Sequence, residues 1–155
     1  MIVRKATIED LATLVEFTSQ EAIEAEGAAK DLERLENGIS TALNDPSIAM
    51  YWILVDDSNE PIGSISAIKE WSDWHAGYYW WIQSMYIVPK QRGRGLMPNL
   101  LSAVEDEMRL QNGLELRLYV HEGNEQAIRA YEKTGFEQSP YKIMVRKTNP
   151  YSESE

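Results

Sequence analysis

Tyr78-Tyr79-Trp80-Trp81-Ile82-Gln83-Ser84-Met85-Tyr86-Ile87-Val88-Pro89-Lys90-Gln91-Arg92-Gly93-Arg94-Gly95 is the stretch on which the fold turns. Residues 78–88 are almost all apolar or aromatic and read as a long buried strand, which Pro89 ends because it cannot donate to a ladder. Lys90 to Gly95 is a glycine-bearing turn, and beyond it Leu100, Leu101, Val104 and Met108 recur at helical spacing. The first turn of a helix presents unpaired N–H groups and the positive end of the helix dipole, so an anion is favoured there. Glycines in that turn let the backbone close on a phosphate. Lys90, Arg92 and Arg94, with no acid among residues 86–94, sharpen the point on a chain whose formal charge is −10. No Gly-Lys-Ser/Thr follows, and the spacing is not Gly-x-Gly-x-x-Gly, so neither a P-loop nor a dinucleotide fingerprint is present.

Working outward, Ile2 to Ala6 reads as a strand and Thr7 as the cap of a helix bearing Leu11, Leu14, Val15, Thr18 and Ala22 on one face. Gly27 interrupts it. A second helix carries Leu32, Leu35, Ile39 and Leu43 and stops at Asn44-Asp45-Pro46. Ile48 to Val55 and Ile62 to Ile68 form a hairpin about the turn 56–61, and Lys69 to Gly77 reads as a loop. Past the glycine turn and its helix, Leu114, Leu116, Leu118 and Val120 alternate as a strand. Asn124 then caps a helix with Ala127, Ile128 and Tyr131, closed by Gly135 in the C′ position. Tyr141 to Arg146 reads as a last strand. The order βααβββαβαβ makes residues 1–147 one mixed α/β domain, with 148–155 a polar tail.

Composition excludes several classes. The 155 residues suit one domain, and 25 acidic against 15 basic residues argue against wrapping nucleic acid. With no cysteine there is no disulfide scaffold, thiolate metal site or cysteine nucleophile, and the separated His75 and His121 do not make a zinc site. Apolar runs are too short to span a bilayer and the start has no signal-peptide core, so the expectation is a cytoplasmic protein without membrane contact.

Residues 85–95 together with a second signature, Leu116-Arg117-Leu118-Tyr119-Val120 followed by Asn124, Ala127, Tyr131, Gly135 and Phe136, resemble the GNAT family of acyl-CoA-dependent N-acetyltransferases. The resemblance implies a central mixed sheet flanked by helices. It implies acetyl-CoA as cofactor, and transfer of its acetyl group to a primary amine, of a small cationic compound or a peptide, by direct attack. Met85 and Ile87 would give backbone groups to the pantetheine arm; Arg92, Gly93, Arg94, Gly95, Leu96 and Met97 would offer amides to the pyrophosphate; Asn124 would meet the arm near its sulfur. Tyr131 matches the residue that protonates the departing thiolate, work suited to a phenol with a pKa of about 10. Two positions depart from the family pattern. Met97, followed by Pro98, replaces a small residue, and Trp81 stands where many relatives carry a Glu on the central strand. These departures keep open an alternative, a non-catalytic acyl-CoA-binding sensor or regulatory module.

For the acceptor, the expected strand face is Tyr79, Trp81, Gln83, Met85 and Ile87, which holds no carboxylate. The base is therefore displaced, mediated by water or unnecessary, and Glu70, Asp73 and His75 are candidates for a displaced one. Aromatic residues from Trp71 to Trp81 can wall a pocket or complete a packed hairpin. Residues 9–45 hold ten acids against Lys30 and Arg34; the resemblance implies that these helices border the acceptor cleft, where an acidic, aromatic wall favours a cationic amine, and the alternative is that the acidic faces only keep the domain soluble. Glu21, Glu24, Trp71, Trp81 and Gln83 are the candidate acceptor-binding residues. Ile143, Met144 and Val145 either pair across a homodimer or complete the chain's own sheet.

Overall fold

Alternation of apolar side chains over residues 50–87 gives three consecutive antiparallel strands in the computed structural model, which describes residues 1–148. β1 (Ile2–Lys5), β2 (Met50–Val55), β3 (Pro61–Ser72), β4 (Gly77–Ile87) and β5 (Leu116–Leu118) form one sheet in the order β1-β2-β3-β4-β5. The first four are mutually antiparallel and β5 joins β4 in parallel. Helices α1 (Leu11–Glu26), α2 (Leu32–Leu43), α3 (Met97–Leu110) and α4 (Glu125–Lys133) complete the chain, with short 3-10 turns at Ile8–Asp10 and Pro89–Gln91. Two compact units result, Met1–Asn124 and Glu125 onward, each described by itself.

Side chains alternate across the sheet. On one face Ile53 and Val55 pack with Leu14 of α1 and Ile39 of α2. The residues between them, with Trp52, Leu54, Ile65, Ala67 and Trp80 all buried, belong to the other face, where α3 buries Leu100, Leu101, Val104 and Met108. Gly27 (φ +73°) ends α1 in the left-handed conformation, its N–H reaching the Ile23 carbonyl. Asp31 caps α2 through the Arg34 amide at 3.1 Å.

Three expectations are corrected. β3 runs on to Ser72, so Lys69, Glu70 and Trp71 are strand residues paired with Trp80, Tyr79 and Tyr78 rather than loop; the sequence signal there is aromatic and charged on an exposed strand end and does not alternate cleanly. The 114–120 strand is confined to Leu116–Leu118. Tyr141–Arg146 forms no strand: these residues are exposed and without regular structure. A strand exists only beside a hydrogen-bonding neighbour, and α4 is the only regular element among the described residues of that unit. The polar tail 148–155 lies, past Thr148, outside the described residues.

Within its own unit, α4 ends as its sequence predicts. Gly135 has φ +101°, its N–H meets the Glu132 carbonyl at 3.1 Å, and the Phe136 N–H meets the Tyr131 carbonyl at 3.2 Å. This is the Schellman arrangement, and its usual apolar contact is supplied by the rings of Tyr131 and Phe136, 5.8 Å apart and edge-on.

Candidate active site

The site begins with a fault in the sheet. Ser84 pairs with Ser66 but Ile82 pairs with Ala67, so β4 carries one residue more than β3 and Gln83 is the bulged residue. A bulge reverses the alternation beyond it. Trp80 and Ile82 are buried before the fault, and Tyr86 is buried after it, against Phe17 of α1 with ring centroids 5.3 Å apart. The expected common face of Tyr79, Trp81, Gln83, Met85 and Ile87 is thereby split: Ser84 and Tyr86 take over the α1 side.

The same point is where β4 loses its neighbour. Pairing with β5 covers only Trp80, Trp81 and Ile82. From Met85 to Ile87 the side of β4 turned away from β3 is met by side chains. The Met85 N–H donates a short hydrogen bond to Glu21 Oε2, and the Ile87 carbonyl accepts one from Arg92 Nε at 2.8 Å. Arg92 Nη2 lies 2.9 Å from both carboxylate oxygens of Glu24. The structure therefore brings Met85, Ile87, Glu21, Glu24 and Arg92 together around one open strand edge.

The glycine turn follows directly. Gly93 (φ +76°) and Gly95 (φ +70°) both hold the left-handed conformation, and open space surrounds the position a Cβ would take at each. Arg94 is exposed, Leu96 buried and Met97 half-buried as the first residue of α3. Among the described residues no side chain caps that helix, and Pro98 sits in its first turn, where a missing N–H costs nothing. The start of α3 carries the positive end of the helix dipole.

Trp71, Trp81 and Gln83 are placed differently. Trp81 stacks on Tyr119 at 4.4 Å, and its Nε1 donates to Glu70 Oε1 at 3.4 Å. The Arg117 guanidinium lies 3.4 Å over the Tyr79 ring. These rings are therefore partnered by Arg117 of β5 and by Tyr119 just after it. Trp71, edge-on to Tyr78 at 5.1 Å, sits at the far end of the hairpin, some seven residues or roughly 20 Å along β4 from Met85. Gln83 is exposed, its Oε1 3.5 Å from Ser66 Oγ. Of the displaced-base candidates, Glu70 bonds Trp81, and His75 lies in the turn before β4 with its ring edge-on to Tyr79 at 6.2 Å. Asn124 is exposed, its N–H bonded to the His121 carbonyl at 2.9 Å. Tyr131 lies half-buried on α4 in the other unit.

A sequence model described as acetyltransferase (GNAT) family matches residues 11–136. The chain belongs to the GNAT acetyltransferase family. The mycothiol acetyltransferase of Corynebacterium aurimucosum is 33% identical over 112 residues, which are 68% of this chain and 36% of that protein, so the chain spans well under half the length of that relative. A possible acetyltransferase from Clostridium difficile 630 shares the fold with a TM-score of 0.88 at 28% identity, over 95% of this chain and 97% of that one. A predicted acetyltransferase with acetyl-CoA from Clostridium acetobutylicum shares the fold at a TM-score of 0.77 and 20% identity, over 93% and 94% of the two chains.

For a GNAT domain, the residues present fit an acyl-CoA. The strand edge beyond β5 offers an N–H and a carbonyl held only by side chains that can swing away. The two left-handed glycines leave space where any side chain would intrude on a diphosphate. Glu21 and Glu24 at this edge were within reach of sequence reasoning: Leu14, Phe17, Glu21 and Glu24 recur at three- and four-residue spacing, so an apolar helical stripe turns acidic in its last two turns.

Proposed function

We propose that the chain transfers an acetyl group from acetyl-CoA to a primary amine by direct attack. The observation that carries this reading is the open edge of β4 from Met85 to Ile87, running straight into the Gly93-Arg94-Gly95 turn and the uncapped start of α3. Bound acetyl-CoA supplies the activated thioester. The chain supplies the rest. Met85 and Ile87 offer strand-edge groups to the arm, as parallel pairing would. The amides of residues 93–97 and the cations Arg92 and Arg94 take the diphosphate. Asn124 meets the arm near its sulfur. Tyr131, by its place in the family motif and its phenol chemistry, gives the proton that the leaving thiolate takes.

The acceptor is a cationic amine. Glu16, Glu21, Glu24 and Glu26 all lie on α1, whose one face meets the site, and such a field raises the local concentration of cations. The mycothiol acetyltransferase relative carries its acceptor in its name, and the shared stretch is 36% of that protein.

Calorimetric titration with acetyl-CoA tests the reading. Wild-type protein should bind with a Kd of about micromolar order, and Arg92→Ala/Arg94→Ala should weaken it at least tenfold. Thiol release on adding spermidine, glucosamine or an alanine-led hexapeptide should then follow. Absence of binding at millimolar acetyl-CoA overturns the reading. Binding without release for any amine supports instead the acyl-CoA sensor, to which the carboxylate-free β4 gives some weight.

A further inference from the structure

The geometry points to Glu21 as the general base that takes a proton from the acceptor's ammonium group, work for which β4 offers no carboxylate of its own. The inference rests on the acetyl-transfer reading above and assigns a residue within that site.

Helix α1 lays Leu14, Phe17, Glu21 and Glu24 along one face. Leu14 is buried in the core, Phe17 meets the Tyr86 ring, Glu21 holds the Met85 N–H and Glu24 pairs with Arg92. The helix thus carries its carboxylates along β4 to the one segment where that strand has lost its β5 neighbour. No acid occurs between Gly77 and Ile87, so among residues that touch this edge, α1 is the source of carboxylate.

The surroundings of Glu21 are built for a polar group. The sheet face below α1 is apolar at Ile53 and Val55 but turns to hydroxyl-bearing side chains beside the bulge: Tyr51, Ser64, Ser66 and Ser84. Ser66 is fully buried, lies opposite Tyr51 in the strand register and is 3.5 Å from Gln83 Oε1. Ser84, on the same face, is one of the groups that hold the Glu21 carboxyl down. Buried hydroxyls cost free energy unless bonded, and this row ends at the carboxylate. Burial pushes Glu21 up to about 7, against the opposing pull of the Met85 amide and the Ser84 hydroxyl, with Glu24 adding to the rise. The titratable groups facing it are Glu24 on α1 and Tyr51 on β2, while Arg92 and Tyr86 face Glu24. A base is most useful when its pKa lies near the working pH.

The Met85 N–H that Glu21 holds is one of the two edge groups assigned to the arm. A carboxylate able to occupy that amide stands beside the place where the thioester must lie. The proton count closes simply. The ammonium loses one proton to Glu21, and the freed lone pair forms the C–N bond as the C–S bond breaks with its electron pair leaving on sulfur. The second proton lost by nitrogen balances the one the thiolate gains from Tyr131, and Glu21 returns its own to solvent.

The test combines titration with kinetics. In full-length protein labelled with 13C at the glutamate carboxyls, one signal absent from Glu21→Gln should titrate near pH 7; a Glu21 signal titrating in the ordinary carboxylate range overturns the assignment. With spermidine, glucosamine and the alanine-led hexapeptide as acceptors, wild-type kcat/KM should fall below a midpoint near pH 7. Glu21→Gln should lower kcat about 100-fold and abolish that limb, while acetyl-CoA binding by calorimetry stays within about threefold, a difference of roughly 0.6 kcal/mol. Glu21→Asp, which keeps the carboxyl but shortens its reach, should retain the limb at reduced rate. Active Glu21→Gln with an unchanged pH profile overturns the base while leaving acetyl transfer standing. Acetyl-CoA binding without thiol release by wild type for any acceptor overturns both.

Discussion

The carboxylate of Glu24 and the guanidinium of Arg92 close a bridge from helix α1 to the open edge of β4, with Nη2 2.9 Å from each carboxylate oxygen and Nε 2.8 Å from the Ile87 carbonyl. The Tyr86 ring lies 5.3 Å from the same guanidinium. One side chain thus holds an acidic helix, a strand-edge carbonyl and an aromatic face at once. It is also one of the two cations proposed to take a diphosphate.

Removing either end of that bridge should separate binding from stability. Arg92 and Glu24 are 43% and 44% exposed, so the pair contributes less than about 1 kcal/mol to folding, and either variant should melt within a few degrees of wild type. Acetyl-CoA affinity should move in opposite directions. Arg92→Ala should weaken it about tenfold by loss of a charge-assisted contact, whereas Glu24→Gln, which frees the cation, should leave it unchanged or tighter. Calorimetry on both variants decides; equal weakening would assign Arg92 only to holding the strand edge.

Two glycines are irreplaceable for different reasons. A Cβ on Gly95 meets open space, but the residue sits at φ +70°, so Gly95→Ala should cost about 1 kcal/mol through backbone strain alone and weaken acetyl-CoA binding. A Cβ on Gly63 would stand 2.8 Å from the Tyr86 carbonyl oxygen. There β3 and β4 must part, and Gly63→Ala should cost about 2 kcal/mol or more. Chemical denaturation of both variants, beside acetyl-CoA titration, should show the larger stability loss for Gly63 and, relative to that loss, the larger binding defect for Gly95.

Two acids should give opposite pH trends. Asp10 accepts from Arg4 at 2.8 and 2.9 Å and from the Thr7 amide at 2.8 Å, and the Arg4 bonds hold its carboxyl below the usual range. Its contribution is present above its unfolded value of about 4 and is lost as pH falls through the folded one. Glu21 is raised to about 7, so the folded state binds the extra proton and stability declines as pH rises from the unfolded value through 7. Asp10→Asn should therefore cost most above pH 5, about 2 kcal/mol for the lost charged hydrogen bonds. Glu21→Gln should stabilise relative to wild type at pH 8 and lose that advantage toward pH 4. Melting curves from pH 4 to pH 8 check both signs.

Tyr131→Phe keeps the edge-on contact with Phe136 that closes α4. It should fold with an unchanged helix signal and bind acetyl-CoA as wild type does, yet release thiol about 100-fold more slowly. Retention of full thiol release would remove Tyr131 from the chemistry.

Much of the molecule was legible in its residues. The glycine turn after a long strand, the two N-terminal helices with their stops, and the closing of α4 at Gly135 are local events, written in side-chain spacing and in left-handed positions that only certain residues tolerate. Residues 141–146 misled because apolar alternation announces a strand's readiness to pair, not the presence of a partner.

By itself, then, the sequence determined the order of elements as far as α4, the hairpin of β2 and β3 and the glycine turn proposed to take a diphosphate, since each depends on neighbours a few positions apart. Tertiary structure alone decided which side chains meet at the strand edge. The extra residue at Gln83 reverses the face of everything after it, a one-residue register effect set by pairing with β3 rather than by any residue type. The docking of α1 then places Glu21 on an amide 64 residues further along the chain. No spacing rule spans that distance; packing of Phe17 on Tyr86 does.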